Sequence, residues 1–313
     1  MRSYSLIAPA KINLYLQIVG DRPDGFHELI MVLQSIELAD RVIVRSRSVE
    51  GVRVHCDNPA VPVDQTNLAY RAAELMMREF PETYAKFGGI EIDLQKRIPM
   101  GAGLAGGSSN AAAVLVGIDL MWNLGLTHSE LQDLGAELGS DIPFCISGGT
   151  ALATGRGEKL APLAGLDSLF VVLAKYRDLP VSTPWAYKTY RQKFGQAYPK
   201  TTQEIEAKKA RSKEILTAIA HHDFKQIGQQ LHNDLEQVVL PEFEKVQQLR
   251  DQFARLNPIG TMMSGSGSTV FALAESRSQA EEIRTTMRSN IPDADLELWV
   301  TKLSQCGVHL ANH

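Results

Sequence analysis

The segment Pro99-Met100-Gly101-Ala102-Gly103-Leu104-Ala105-Gly106-Gly107-Ser108-Ser109-Asn110 constrains this chain more than any other. It places four glycines and two serines between a strand-like run, Ile90 to Ile98, and a helix-compatible run from Ser108 to about Trp122. Glycine reaches positive φ and has no Cβ, so successive N–H groups can converge on an anion while the helix adds the positive end of its dipole. Phosphate is the natural guest, and a plain connector needs fewer glycines. Gly101, Gly103 and Gly106 also spell GxGxxG, but the preceding run, Gly89 to Arg97, alternates apolar with charged residues, so it reads as exposed on one face. A central parallel strand would be almost wholly apolar. Nor does an acidic residue end a second strand about 20 positions on, since Asp119 falls inside the expected helix. A hydride-transfer enzyme is the minor alternative, and without GxxxxGKS or GxxxxGKT the chain is not a usual P-loop NTPase.

Two distant residues fit chemistry at such a loop. Ser5 to Val19 alternates, with Ile12, Leu14 and Leu16 on one face and Lys11, Asn13, Tyr15 and Gln17 on the other, as a strand with one polar face would. An unpaired ammonium there is expensive, so Lys11 implies a carboxylate or phosphate partner; a lysine snorkelling to solvent is the alternative. Asp141, in Gly139-Ser140-Asp141-Ile142-Pro143-Phe144, reads as a tight turn entering an extended run, Phe144 to Ala153. That turn would hold the carboxylate rigidly, or Asp141 simply forms the turn. With phosphate at the loop, Asp141 would accept a hydroxyl proton and Lys11 would offset charge on a transferred phosphoryl group. The reaction class is phosphoryl transfer to an alcohol. Magnesium would bridge the phosphates with few protein ligands, none of which the sequence names.

Two further segments offer contacts. Ser264-Gly265-Ser266-Gly267-Ser268-Thr269 is a second glycine-rich turn that can present N–H groups to phosphate, or is an ordinary hairpin loop. Asp24-Gly25-Phe26-His27-Glu28 sets a ring beside an imidazole, suiting stacking on and hydrogen bonding to a base, with a packed loop as the alternative.

At about 150 residues per domain, 313 residues favour two domains, and the pattern restarts after Gly155-Arg156-Gly157, so the expected division is 1–160 and 161–313. In the first part strands are expected at Ser35 to Leu38, Arg41 to Arg45 and Val52 to His55. Helices are expected from Asn67 to Arg78 and from Ser129 to Leu138, and Gly125 is expected to end the helix that starts at Ser108. The second part reads as α+β with an antiparallel sheet: strands Leu169 to Ala174, Thr269 to Ala274 and Leu296 to Leu303, and helices Ile215 to Leu235, Pro241 to Leu256 and Ser278 to Arg288. Gln196 to Lys213 is polar and carries no chemistry. A net charge of -4 argues against a polynucleotide partner. Cys56, Cys145 and Cys306 leave an odd count without zinc spacing, and no apolar run reaches the ~18 residues of a bilayer span. Together with a strand pattern that begins too early to leave room for a leader peptide, this suggests a cytoplasmic protein without membrane partners.

Taken in order, Pro9-Ala10-Lys11-Ile12-Asn13-Leu14, the loop Pro99 to Ser109, Gly139 to Phe144 and Ser264 to Ser268 resemble the GHMP kinase superfamily over nearly the whole chain. The PAKINLYL, DGFHEL and PMGAGLAGGSSNAAA segments point to its branch acting on 4-diphosphocytidyl-2-C-methyl-D-erythritol in the non-mevalonate route to isoprenoid precursors. The resemblance implies an α+β fold with a ribosomal protein S5 domain 2-like N-terminal domain and a ferredoxin-like C-terminal domain, ATP and Mg2+, and a monomer or weak homodimer. It implies a catalytic pair, Lys11 and Asp141, and an ATP loop formed by Pro99, Met100, Gly101, Ala102, Gly103, Leu104, Ala105, Gly106, Gly107, Ser108 and Ser109. Asn13, Phe26, His27, Asp141 and Thr183 are implied on the substrate side, with His27 reading cytosine. A homoserine or mevalonate-type kinase would keep the loop but have no use for Phe26 and His27. The chain departs from the family twice. Phe26 stands where tyrosine is common, and Ala105 where glycine is frequent, which a methyl permits if φ there is negative.

Overall fold

The alternating N-terminal run forms, in the computed structural model, a long strand β1 (Ser3–Asp21), paired antiparallel with β2 (His27–Arg47). Residues 2–311 are described. Next come β3 (Val52–Cys56), α1 (Leu68–Glu79), α2 (Pro81–Phe87) and β4 (Gly89–Gln95). Beyond the glycine segment follow α3 (Gly106–Trp122), α4 (His128–Leu138), α5 (Ile142–Ser147), β5 (Thr150–Gly155) and β6 (Lys159–Pro162). The second half runs β7 (Phe170–Tyr176), α6 (Thr183–Phe194), α7 (Thr202–Ala210), α8 (Lys213–Ala220), α9 (Phe224–Gln229), β8 (His232–Asn233) and α10 (Glu236–Val239). It closes with α11 (Glu244–Arg255), β9 (Gly260–Met263), β10 (Val270–Ala274), α12 (Arg277–Asn290), β11 (Leu296–Ser304) and β12 (His309–Leu310).

β2 organises the first half, pairing with β1, β4 and β5. In the second half β9, β10, β7 and β11 make the expected antiparallel sheet, and the end of β11 joins it to β2 through Leu303 and Ser304. α1 starts where Asn67 accepts from the Ala69 amide and buries Ala69, Ala72, Ala73, Leu75 and Met76, the spacing of one helical face. Those residues share a core with Leu6, Val42, Val44, Ile92 and the alanine-rich α3, which is buried on nearly every side and needs small side chains for that reason. Each large aliphatic residue so buried contributes about 2 kcal/mol. No helix among the described residues is long and apolar enough to cross a membrane.

Several expectations are corrected. The polar face of β1 is not solvent-facing: Lys11, Asn13 and Gln17 are buried. Its alternation also slips at a bulge between Asn13 and Tyr15, so Tyr15 packs with Ile12 and Leu14 while Leu16 turns to the side of Lys11 and Asn13. The two strands expected at Ser35 to Leu38 and Arg41 to Arg45 are one, and it begins at His27. The helix expected from Ser108 starts at Gly106, and its cap is Ala105 at φ +55°, not at the negative φ that a methyl would favour; it ends at left-handed Asn123 rather than Gly125. The helix expected from Ser129 starts at His128 and is capped by Thr127, whose side chain and that of Glu130 satisfy each other's amides. The run Phe144 to Ala153 is not wholly extended: Pro143 favours a helix start, so α5 forms first and Gly148, at φ +67°, releases the chain into β5. The helix expected over Ile215 to Leu235 breaks at His222, φ +53°, into α8, α9 and β8, and α11 begins only at Glu244.

Candidate active site

The glycine segment leaves β4 and curls against β1 and the turn between β9 and β10. Gly101 and Gly103 take φ +57° and +70°, and a Cβ at Gly103 would lie 2.1 Å from the Ser264 carbonyl oxygen, so only glycine allows the two loops to touch. Ser264 Oγ donates to the Gly103 carbonyl at 3.0 Å, and the Lys11 amide donates to the Leu104 carbonyl at 3.1 Å. The helical ladder of α3 first closes at the Ser109 amide, on the Ala105 carbonyl, which leaves the amides of Gly106, Gly107 and Ser108 without a carbonyl one turn back. Those amides and the absence of Cβ atoms at Gly106 and Gly107 fit a phosphate chain.

A cavity of about 820 Å³ runs from this loop across β1 to the turn between β1 and β2. Pro99 through Ser108 line it, as do Lys11, Asn13, Phe26, His27, Asp141 and Thr183. Ser109 stands apart: it is fully buried and its hydroxyl donates to the Pro9 carbonyl at 2.7 Å, tying α3 to β1. Lys11 Nζ donates to Asn13 Oδ1 at 2.7 Å and lies 3.8 Å from Asp141 Oδ2, so the partner its burial demanded is present. Asp141 precedes α5, its side chain about one-third exposed to the cavity, and no other carboxylate is on the cavity wall among the described residues. Thr183 Oγ1 and Ser266 Oγ are 2.7 Å apart, joining the start of α6 to the second glycine-rich turn.

At the far end Phe26 is half-exposed beneath the Arg156 guanidinium, whose carbon lies 5.1 Å from the ring centroid. The His27 ring is buried beside Tyr187, with centroids 5.2 Å apart, and edge-on to Tyr198 at 6.2 Å. Burial, and then the Arg191 charge, push the His27 pKa down against the opposing pull of Asp21, so the ring is neutral at pH 7. Burial raises the Tyr187 hydroxyl well above its usual range and the Tyr198 hydroxyl to about 12, so neither ionises near neutrality.

Sequence reasoning passed over a second buried charge. Lys96, read as part of an exposed face, lines the cavity and pairs with Asp40, both almost wholly buried. Asp40 also accepts from the amides of Arg97 at 2.6 Å and Ile98 at 2.9 Å and from Asn110 Nδ2 at 2.9 Å, while Lys96 donates to Asn110 Oδ1 at 2.8 Å. Both ends of the glycine loop are thereby fixed to β2. Tyr187 and Arg191 were also missed; their spacing of one helical turn on α6 was the available signal.

Two family models match the chain. GHMP kinases N terminal domain matches residues 67–149 and GHMP kinases C terminal matches residues 215–293. The chain is 60% identical to 4-diphosphocytidyl-2-C-methyl-D-erythritol kinase of Trichodesmium erythraeum, with 100% of both chains covered. The chain belongs to the GHMP kinases. Its two-domain α+β architecture, S5-like then ferredoxin-like, is that of the family. This GHMP kinase is also 61% identical to the enzyme of the same name from Nostoc punctiforme, over 100% of this chain and 99% of the relative. The crystal structure of a 4-(cytidine 5'-diphospho)-2C-methyl-D-erythritol kinase superposes with TM-score 0.71 at 32% identity, covering 96% of this chain and 98% of that one. Homoserine kinase from Cytophaga hutchinsonii superposes with TM-score 0.76 over 99% and 98% of the two chains, but at 19% identity that likeness speaks for the fold alone.

Proposed function

We propose that this GHMP kinase transfers the γ-phosphoryl group of ATP to the 2-hydroxyl of 4-diphosphocytidyl-2-C-methyl-D-erythritol, giving the 2-phosphate and ADP. The observation that carries this reading is one cavity with the glycine loop at one end, Phe26 and His27 at the other, and Lys11 beside Asp141 between them. The amides of Gly106, Gly107 and Ser108 would hold the ATP phosphates, with Lys96 at the loop's entrance. Phe26 stacks on the cytosine and His27 hydrogen-bonds its edge; without a phenolic hydroxyl Phe26 forgoes about 1 kcal/mol of binding. Asn13 and Thr183 orient the alcohol.

Asp141 takes the proton from the substrate hydroxyl as its oxygen bonds to the γ-phosphorus and the bond to the β-phosphate bridging oxygen breaks, leaving ADP. Lys11 stabilises the charge spread over the phosphoryl oxygens, and Asn13 fixes its ammonium through the 2.7 Å hydrogen bond. Magnesium, when bound, would neutralise phosphate charge; Asp141, the one carboxylate on the wall among the described residues, is the protein group that would hold it, with phosphate oxygens and water as its other partners. The test is ADP release with the cytidylyl alcohol, homoserine, mevalonate and phosphomevalonate in parallel. Selective turnover of the first is expected, and equal or greater turnover of another would overturn the reading.

A further inference from the structure

His27 is 6% exposed, and its buried Nε2 has no hydrogen-bond partner. Asp21 Oδ1, at the end of β1, lies 3.5 Å from that nitrogen. The same oxygen accepts from Arg191 Nε at 2.8 Å, and Arg191 Nη2 donates to the Gly25 carbonyl at 2.9 Å, so α6 clamps the turn that carries Phe26 and His27. A carboxylate oxygen only accepts. A nitrogen lone pair aimed at it is repelled and an N–H is attracted, so the neutral ring facing Asp21 carries its proton on Nε2 and leaves Nδ1 as an acceptor.

Resting on the reading of His27 as the base contact, we propose that Asp21, held by Arg191, is a positioning residue that fixes the His27 tautomer and thereby makes the site take cytosine and refuse uracil. Cytosine carries an amino donor at ring position 4, where uracil carries a carbonyl acceptor. An Nδ1 lone pair binds the first and repels the second, a difference that buried polar sites enforce strongly. The burial that keeps the ring neutral is what gives it a tautomer to choose. Asp21 acts through the ring, in the manner of a carboxylate that orients a ligating histidine.

The full chain is titrated calorimetrically with CDP and with UDP, and the ring is followed by its imidazole 15N shifts. The unaltered chain should prefer CDP by about tenfold or more. Asp21→Leu should shrink that preference to about threefold or less and turn the Nε2–H signature into a tautomer mixture. Asp21→Asn, which keeps a carbonyl acceptor for Arg191 and His27, should retain both, and Arg191→Leu should behave like Asp21→Leu. Asp21 is half-exposed, so these variants leave the core untouched. An unchanged preference in Asp21→Leu, or an equal loss of affinity for both nucleotides, overturns the role of Asp21 while leaving the kinase reading intact. Absence of any CDP preference in the unaltered chain removes the base-reading role of His27 and this inference with it.

Discussion

Lys11 Nζ stands 3.8 Å from Asp141 Oδ2, a contact between the first strand and the residue that opens α5. The pair shares one site because a bulged β1 and a short helix meet at the cavity wall. Replacing Asp141 by Ala should leave ATP binding in place and lower kcat by about 10² or more. Full turnover by that variant would remove Asp141 as the base. Lys11→Met should lower kcat by about 10² or more with little change in substrate KM, because its charge is used mainly as phosphoryl charge develops.

His27 sets a pH limit. Its folded pKa lies below the ordinary 6.5, through burial first and Arg191 second, so the unfolded chain takes up a proton at higher pH than the folded one. Stability from the neutral ring is therefore fully present above pH 6.5 and is lost as pH falls through the folded value. Protonation also turns both ring nitrogens into donors. KM for the cytidine substrate should be flat above pH 6.5 and climb below it, while KM for ATP changes less. His27→Ala should raise the cytidine KM about tenfold and abolish that pH dependence; equal effects on both substrates would refute base reading.

Ala105 holds a left-handed conformation at φ +55°. Ala105→Gly should stabilise the chain by up to about 1 kcal/mol, since relief of the Cβ clash outweighs the added freedom of the unfolded chain. A thermal melt checks it, and a lowered midpoint would contradict it.

Asp40 is saturated by the Arg97 and Ile98 amides, Lys96 and Asn110. Asp40→Ala strands the Lys96 ammonium and should cost about 3 kcal/mol or more in chemical denaturation, with a raised KM for ATP. Adding Lys96→Met should recover part of the stability but not the nucleotide affinity.

The meeting of Lys11 and Asp141 was legible because the sequence sets each in a rigid local setting: a lysine in an apolar strand and an aspartate between Ser140 and Ile142-Pro143. The glycine loop was legible because few folds need so many positions free of Cβ. What escaped depended on contacts between distant segments. Lys96 looked like one more charge on an alternating strand, and only β2, which brings Asp40 beneath it, makes it buried. The side change of Leu16 follows from a bulge set by the register with β2, which alternation along one strand cannot reveal. Asp21 belongs to no motif in the sequence, and only α6, which places Arg191 beside it, gives it a partner. The helical turn after Asp141 was misread because an apolar run of that length suits a buried strand and a buried helix equally.

The hydrogen bond from Ser264 to Gly103 has a consequence for synthesis. The glycine loop is translated early, but the turn it leans on emerges only when most of the chain has left the ribosome. A nascent polypeptide halted before β9 carries the whole glycine loop yet lacks the turn that loop leans on, so the loop gains its final support late, with the closing strands.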